Sequence, residues 1–456
     1  MKAASKPWYA ATLEWVDARF PLTKMWDEHL AKYYAPKNFN FWYYFGSLAL
    51  LVLVIQLVTG IWLTMNYKPD AERAFESVEY IMRDVEWGWL IRYMHSTGAS
   101  AFFVVVYLHM FRGMMYGSYK SPRELIWLIG MLIYLTLMGE AFFGYLLPWG
   151  QMSFWGAKVI VSLFGAVPVI GDWLSTLVRG DFGISDVTLN RFFALHVVAM
   201  PLVLCALVVV HILALHEVGS NNPDGVEIKK KKGPDGVPLD GIPFHPYYTV
   251  KDIVGVAGFL IVYFGIIFFA PEVGGYFIEH NNFIPADPFK TPAHIAPVWY
   301  FTPYYSVLRA TTSEFMWVVA IGTVLLLLLY WREFRGAWRL VVPIAALALV
   351  GGYFTIDAKF WGVVLMGLSV LIFFALPWLD RSPVKSIRYR GPLTRMALAV
   401  FVVSFLVLGY LGTKTPTVAL TRAAQVFTVL YFAYFLLMPI YTRIDTTKPV
   451  PERVTH

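Results

Sequence analysis

Cysteine and charged residues are both scarce in this chain. Its only cysteine, Cys205, lies inside an apolar run, so the sequence excludes a disulfide framework and a thiolate metal site. Only 15% of the 456 residues are charged whereas 58% are apolar, and a water-soluble fold could not cover so much apolar surface. The composition therefore predicts a polytopic membrane protein.

The first forty residues lack the continuous apolar core of a cleavable signal peptide. Aromatic residues alternate there with charged ones, which predicts an amphipathic segment, residues 1–40, on the membrane surface. The net charge of +7 would suit nucleic acid, but the basic residues lie in short loops between apolar runs. Membrane topology explains them better, and no nucleic-acid partner is expected.

Ten apolar runs are long enough to cross a bilayer as helices. They lie at about 41–65, 91–116, 125–147, 188–215, 249–270, 314–331, 338–355, 359–378, 394–412 and 419–441. The runs 314–331 and 338–355 are the weakest, because only a basic turn separates them, and they could instead form a buried or interfacial hairpin. The prediction is an all-α polytopic membrane protein of about ten transmembrane helices.

The loops between the runs differ in charge. Placing both termini in the cytoplasm puts every strongly basic loop on the cytoplasmic side. The loop 217–248 is cytoplasmic in this arrangement, and its glycine, proline and lysine content indicates flexibility. The opposite loop 66–90 is long and acidic, and long outer loops suggest a built site.

Four histidines lie inside predicted helices, where ionisable side chains are costly and presumed functional. His95 and His109 are fourteen residues apart on the second run, on one face and roughly 21 Å apart. His196 and His211 are fifteen apart on the fourth run, which crosses in the same direction. His95 should therefore pair with His196 near the outer face, and His109 with His211 near the inner face. Such pairs predict two bis-histidine haems, although any one histidine could simply bond a neighbouring helix.

Glycines on the first and third runs repeat the fourteen-residue spacing. They are Gly46, Gly60, Gly130 and Gly144. A flat ring pressed against a helix favours positions without a side chain, but close helix packing is an alternative. Arg92 and Arg112 each lie three residues from a histidine, and could pair with haem propionates or anchor helix ends at the interface.

Five ordered segments resemble the cytochrome b subunit of ubiquinol:cytochrome c oxidoreductase, the cytochrome bc1 complex, of the proteobacterial type. They are IRYMHSTGAS at 91–100, GYLLPWGQMSFWGAKVI at 144–160, LHEVGSNNPDG at 215–225, FHPYYTVKD at 244–252 and TPAHIAPVWYFTPYYSVLRA at 291–310. The resemblance covers nearly the whole chain. It implies a haem-binding four-helix bundle within 41–216 and a C-terminal membrane region at 249–456. It also implies that the outer haem has a low and the inner haem a high potential.

The resemblance further implies two quinone pockets. The outer, quinol-oxidising pocket is expected to use Met138, Phe142, Tyr145, Gly156, Ile160, Pro297, Tyr300 and Tyr305. The inner, quinone-reducing pocket is expected to use Ser47, His216, Ser220, Asn221, Lys251 and Asp252. His216 and Asp252 at the wet rim could protonate a reduced quinone. Helix capping by Asp252 and a solvated His216 are the alternative.

The chain departs from the family pattern at three places. The His196 to His211 spacing is fifteen rather than fourteen, which could change the tilt of the haems. The loop usually written Pro-Glu-Trp-Tyr has Val298 in place of a glutamate thought to accept a quinol proton. We expect Glu279 to supply the missing carboxylate, with Glu272 as the second candidate. The third departure is an extra apolar hairpin at about 314–355, before the family's sixth helix at 359–378.

The resemblance implies a bifurcated oxidation of quinol coupled to proton translocation in a bacterial inner membrane. Because the chain has too few cysteines for an iron–sulfur cluster, the other redox centres must lie on partners. The expected partners are a Rieske iron–sulfur protein, cytochrome c1, a second copy of the chain and membrane lipid. A transporter with a histidine proton relay should show repeated halves, which the sequence lacks. A di-haem quinol dehydrogenase anchor would have no reason to carry the PVWY loop.

Overall fold

The computed structural model describes residues 6–455. Two short helices, α1 (Trp8–Asp17) and α2 (Leu22–Trp26), precede the first membrane span. Strand β1 (Tyr34–Pro36) then pairs antiparallel with β2 (Gly241–Pro243), with Ala35 opposite Ile242. The strand pair fastens the N-terminal segment to the loop that precedes the fifth span.

The remaining α-helices follow in chain order. They are α3 (Tyr44–Thr64), α4 (Ala74–Arg83), α5 (Gly88–Tyr116), α6 (Glu124–Leu146), α7 (Gln151–Phe164), α8 (Gly171–Arg179), α9 (Asp186–Ala194), α10 (Met200–Val218), α11 (Thr249–Phe269), α12 (Thr302–Ala310), α13 (Phe315–Tyr330), α14 (Trp338–Thr355), α15 (Ala358–Leu371), α16 (Leu376–Leu379), α17 (Pro392–Gly412), α18 (Val418–Leu436) and α19 (Met438–Ile444).

Ten helical segments within residues 6–455 are long and apolar enough to cross a membrane. The spans are α3, α5, α6, α9 with α10, α11, α13, α14, α15 with α16, α17 and α18. This confirms the predicted all-α polytopic fold. Apolar runs of this length become helices in a bilayer because only a helix satisfies every backbone N–H and C=O within one segment.

Local sequence decides where several spans begin and end. The Asn40 side chain accepts a 3.2 Å hydrogen bond from the Trp42 backbone N–H just before α3. Helix α5 ends at Tyr116, and the next residue, Gly117, has a φ of 66°, a conformation that glycine adopts at no steric cost. The run predicted at 419–441 is divided in the structure, because α18 ends at Leu436 and α19 begins one residue before Pro439. Proline lacks the N–H that a continuing helix needs.

The fourth span is one long helical segment, Asp186–Val218, with a π-helical turn at Leu195–Ala199. His196 lies within this turn. A π-turn accommodates one residue more than an α-turn. The turn therefore absorbs the extra residue in the fifteen-residue spacing between His196 and His211.

The first four spans pack as two pairs, α3 with α5 and α6 with α10. A second group, α12, α15, α17 and α18, packs beside them. One apolar core joins the two groups and contains Phe103, Tyr134, Tyr300, Phe401 and Tyr431. Cavities for large ligands open between the helices of the first group, because glycines replace side chains there.

Helices α13 and α14 form the hairpin that the sequence analysis placed at about 314–355. They pack on each other, with the Trp317 and Phe354 rings 4.3 Å apart. None of the most apolar eighteen residues of α14 is buried. The hairpin is therefore not buried within the described chain, and both helices have the length and the exposed apolar surface expected of membrane spans.

Ion pairs hold the first half of the loop 217–248, which the sequence analysis predicted to be flexible. Arg123 donates to Glu227 at 2.6 and 2.9 Å, and Lys385 pairs with the same carboxylate. Burial raises the pKa of Glu227, but these two cations outweigh it and lower the pKa to about 2. Asp224, fully buried, accepts a 2.9 Å hydrogen bond from Arg388. The glycine, proline and lysine content that predicted flexibility does not reveal these partners.

Candidate haem and quinone sites

The four membrane histidines meet as two pairs between α5 and the fourth span. The ring centroids of His95 and His196 are 6.0 Å apart, and those of His109 and His211 are 6.4 Å apart. An imidazole nitrogen binds a transition metal at about 2 Å, so two imidazoles on opposite sides of one metal have centroids about 6 Å apart. Within residues 6–455, no group of three or more His, Cys, Asp or Glu could hold a metal ion. The geometry therefore suits a metal that brings its own equatorial ligands.

Each of the four glycines faces one of the four histidines. A Cβ on Gly60 would lie 3.1 Å from Cε1 of His95, and one on Gly130 would lie 3.3 Å from Cε1 of His211. Gly46 faces His109 in the same way, at 3.4 Å. A Cβ on Gly144 would collide with the His196 ring. Side chains at these positions would occupy the space beside each imidazole, so the residues fit a flat macrocycle at both levels.

Two cavities contain these groups at the two levels. The outer cavity is lined by Arg92 and Glu140 as well as His95 and His196. The inner cavity is lined by Arg112 together with His109 and His211. Each cavity thus holds one histidine pair and two of the four glycines, and Arg92 in one and Arg112 in the other could meet a propionate.

The Nδ1 atoms of three of these histidines have different partners. Nδ1 of His95 lies 3.0 Å from the Thr59 hydroxyl, and Nδ1 of His109 lies 3.1 Å from the Arg112 guanidinium. Nδ1 of His196 lies 3.0 Å from a carboxylate oxygen of Glu140. Glu140 is not among the site residues predicted from the sequence. A carboxylate inside the third predicted span was the signal that could have identified it.

All six residues expected at the inner quinone pocket line the inner cavity. They are Ser47, His216, Ser220, Asn221, Lys251 and Asp252. The Ser47 hydroxyl donates a 3.0 Å hydrogen bond to the carbonyl of Tyr44, and Asn221 donates a 2.8 Å bond to the carbonyl of Tyr116. This cavity is continuous with the space between His109 and His211. A ligand here would therefore lie beside the inner histidine pair.

Tyr33, which the sequence analysis also missed, lies at the same pocket. Its ring stacks on His216 with centroids 4.4 Å apart and an interplanar angle of 16°. Its hydroxyl is 3.2 Å from Ser220 Oγ. Tyr33 is positioned by β1, which follows it directly, and by a 2.8 Å bond from the Phe244 N–H to its carbonyl. No spacing pattern links Tyr33 to His216, so only the fold brings them together.

In the region predicted to form the outer pocket, Glu279 contacts Tyr145. The Tyr145 hydroxyl donates a 2.7 Å hydrogen bond to Glu279 Oε2, and burial raises the pKa of Glu279 to about 7. Tyr300 is close enough for the charge of Glu279 to add to burial in raising the pKa of the Tyr300 phenol. Val298 is buried in the same core. A titratable carboxyl from the same loop therefore lies near Tyr300, two residues after the position where the PVWY segment has valine.

The other residues expected at the outer pocket are less closely gathered. Met138 and Tyr145 pack against the main core, and a Cβ on Gly156 would lie 3.6 Å from the Tyr145 ring. Phe142 packs in the neighbouring core, while Ile160 and Pro297 are half-buried. The Tyr305 ring lies against the Arg309 guanidinium, 5.1 Å from its centroid. Glu272 lies 3.4 Å from the exposed His280.

Family models match most of the chain. The model described as cytochrome b/b6/petB matches residues 30–219. The model described as cytochrome b (C-terminal)/b6/petD matches 285–336 and 337–432. The chain belongs to the cytochrome b family. The first match contains all four histidines of this cytochrome b and the second contains its PVWY loop, as the resemblance predicted.

Relatives and a solved structure agree with this assignment. A protein named cytochrome b from Allochromatium vinosum is 58% identical over 97% of this chain and 98% of its own length. A protein named cytochrome b/c1 from Bradyrhizobium diazoefficiens is 41% identical over 97% of this chain, which spans 56% of that relative. A structure titled hyperthermophilic respiratory Complex III matches with a TM-score of 0.79 and 37% identity, covering 95% of this chain and 99% of its own. Sequence and fold therefore agree on the cytochrome b family over nearly the whole length of the chain.

Proposed function

We propose that this cytochrome b oxidises quinol at the outer pocket, reduces quinone at the inner pocket and moves protons across the membrane. The observation that carries the proposal is the pairing of His95 with His196 and of His109 with His211, each beside two glycines. The inner pair opens directly into a polar cavity, and a buried carboxyl lies at the outer face. Both ends of an electron path are therefore suited to proton exchange.

His95 and His196 would hold an outer b-type haem without a covalent link, and His109 and His211 an inner one. Arg92 and Arg112, which line the two cavities, would pair with propionates. When bound, the two haems supply a path for single electrons between the pockets. The four glycines leave room beside the imidazoles, and the apolar helices keep water out of the path.

At the outer pocket, Glu279 would accept a proton from quinol. Its pKa of about 7 is suited to this task, because a general base works best near the ambient pH. Tyr145 holds the carboxyl by its hydrogen bond. Val298 cannot carry a proton, which leaves Glu279 as the favoured acceptor and Glu272, with its exposed His280 partner, as the second.

At the inner pocket, His216 and Asp252 would give protons to the quinone oxygens as the quinone gains electrons. Lys251, Ser220 and Asn221 add donors to the same cavity. Lys251 Nζ is 3.3 Å from the carbonyl of Phe39, close to the first span. Quinone reduction consumes two electrons and two protons. Protons must therefore reach the polar rim of this pocket from the cytoplasm.

Quinol oxidation releases two electrons and two protons at the outer pocket. One electron would pass through this chain and the other to an iron–sulfur centre on a Rieske protein, since this chain has one cysteine. Cytochrome c1 is the proposed next acceptor, and the name of the Bradyrhizobium relative, cytochrome b/c1, supports this partner. A second copy of the chain and membrane lipid complete the proposed assembly.

We place this assembly in a bacterial inner membrane, with both termini in the cytoplasm. With all ten candidate spans within residues 6–455 crossing the membrane, an even number of crossings brings the two ends of this segment to the same side. The basic turn between α13 and α14 and the lysines at 229–232 then lie inside the cell, as basic loops do.

A dithionite-reduced minus ferricyanide-oxidised spectrum of membranes with this chain, combined with a pyridine haemochrome assay and a redox titration, tests the proposal. Two b-type haems per chain with separate potentials are expected. Replacing His196 with Ala should remove the outer haem and keep the inner one. A chain without haem would overturn the proposal and leave the histidines structural or proton-conducting.

A further inference from the structure

Glu140 is a carboxylate inside a membrane helix, which the mechanism above does not use. It lies on α6, six residues before the end of the helix at Leu146, which is roughly 9 Å along the axis. Its side chain is only 17% exposed, and its Oε2 atom is buried without a hydrogen-bond partner in the described chain. Placing an ionisable group inside a membrane helix costs free energy, so its presence there indicates a function.

The other carboxylate oxygen of Glu140 is directed at a proposed haem ligand. Glu140 Oε1 lies 3.0 Å from Nδ1 of His196, and the backbone carbonyl of Glu140 lies 2.9 Å from the same atom. One N–H at Nδ1 can donate to both oxygens. With Nδ1 occupied in this way, the second ring nitrogen of His196 is the one left for a metal.

Among the described residues, His196 is the only one of the four histidines with a carboxylate within 4.0 Å. His95, across the same cavity, has the neutral Thr59 hydroxyl at its Nδ1. His109, at the inner level, has the Arg112 guanidinium. A carboxylate partner is therefore found at the His95–His196 pair and not at the His109–His211 pair.

We propose that Glu140 is a positioning residue that orients His196 and lowers the reduction potential of the outer haem. The inference rests on the proposed function, in which His196 is an axial ligand. A carboxylate that accepts the Nδ1 proton raises the basicity of a ligating imidazole, and a more basic ligand stabilises the oxidised metal. A lower reduction potential of the outer haem favours electron transfer from the outer haem to the inner one. Glu140 thereby favours this direction of transfer.

Glu140→Gln tests the proposal, because the amide keeps the size and the hydrogen-bond acceptor but removes the charge. In the assembled complex, redox titration should show a more positive outer potential and an unchanged inner potential. The ferric low-spin signal of the outer haem should shift as well. Glu124→Gln is the matched control, since Glu124 begins the same helix far from His196, and it should leave both potentials as in the parent protein.

An outer potential unchanged by Glu140→Gln, with both haems present, would overturn the inference and leave the proposed function intact. Absence of haem from the parent protein would instead overturn the proposed function. If Glu140→Gln loses the outer haem, Glu140→Asp is measured, which keeps the charge but withdraws it from His196. A more positive outer potential in Glu140→Asp supports the proposal, and an unchanged one contradicts it.

Discussion

The Tyr145 hydroxyl at the end of α6 donates a 2.7 Å hydrogen bond to Glu279, 134 residues further along the chain. The bond joins the third span to the loop between α11 and α12. Glu279 is thereby held beside the core that contains Val298 and Tyr300. In the proposed function, this carboxyl accepts the quinol proton that Val298 cannot accept.

We predict that Glu279→Gln lowers quinol oxidation by about a hundredfold or more, the usual range for loss of a general base. The amide can still accept the Tyr145 hydrogen bond, so the fold should persist. Turnover with quinol and cytochrome c, measured beside the haem spectrum, checks this prediction.

Glu272→Gln is the matched control, because Glu272 lies on the same loop with an exposed partner, His280. It should leave most of the turnover intact. A severe loss in Glu272→Gln with normal turnover in Glu279→Gln would assign the role to Glu272 instead.

The pKa of Glu279 predicts a pH dependence. Since burial raises the pKa from 4.5 to about 7, quinol oxidation should increase as the pH rises through about 7 and the carboxyl becomes a base. Glu279→Gln should lack this rise. Between about 4.5 and about 7 the folded state binds more protons than the unfolded state, so the contribution of Glu279 to the free energy of unfolding decreases with rising pH. A pH profile without a Glu279-dependent step would contradict the assignment.

The sequence was sufficient to predict the ten spans and the pairing of the histidines by depth. It did not predict how the fifteen-residue spacing between His196 and His211 aligns with the fourteen-residue spacing between His95 and His109. The π-turn at Leu195–Ala199 takes up the additional residue and brings His196 opposite His95. Regular 3.6-residue periodicity gives no indication of such a turn, because it depends on packing between helices.

Residues that act through a long-range contact were harder to predict. Glu140 and His196 are 56 residues apart, and Tyr33 and Ser220 are 187 apart. Neither pair shares a motif. Only the packing of α6 on the fourth span and the β1–β2 pair bring these side chains together.

Gly144→Ala should remove most of the outer haem while the inner haem remains. A Cβ at this position would collide with the His196 ring, so the imidazole could not keep its position. The haem content per chain and the separate reduced spectra of the two haems measure the effect.

Gly258→Ala is the control, because a Cβ on Gly258 would meet nothing within 4 Å. It should keep both haems. Full outer haem in Gly144→Ala would show that the ring can move and that the glycine is not required.

Asp380→Asn should lower the free energy of unfolding by about 3–5 kcal/mol, the cost of breaking a buried ion pair. Asp380 has no exposed side-chain surface and accepts a 2.6 Å bond from Arg390 and a 2.5 Å bond from Tyr119. Burial raises its pKa, but the Arg390 and Lys120 cations and the hydrogen bonds from Tyr119 and the Ser382 N–H together outweigh burial and lower the pKa. The substitution would leave Arg390 buried without a counter-charge.

Thermal and denaturant unfolding in detergent measure this loss. Glu333→Gln is the comparison, because Glu333 pairs with Arg381 at 3.2 Å while both side chains are about 40% exposed. Exposed pairs contribute at most about 1 kcal/mol. Equal losses in the two variants would contradict the assigned role of burial.

Tyr33→Ala should weaken quinone binding at the inner pocket by up to about tenfold. The stacked ring holds the His216 imidazole at 4.4 Å, and an aromatic pair contributes about 0.5–1.5 kcal/mol. Tyr33→Phe keeps the ring and loses only the hydroxyl near Ser220, so its effect should be smaller. The dependence on quinone concentration of the rate at which quinone reoxidises the reduced inner haem checks both variants. Equal defects in the two variants would assign the effect to the hydroxyl, and parent-like behaviour in Tyr33→Ala would show that His216 is oriented without the stacked ring.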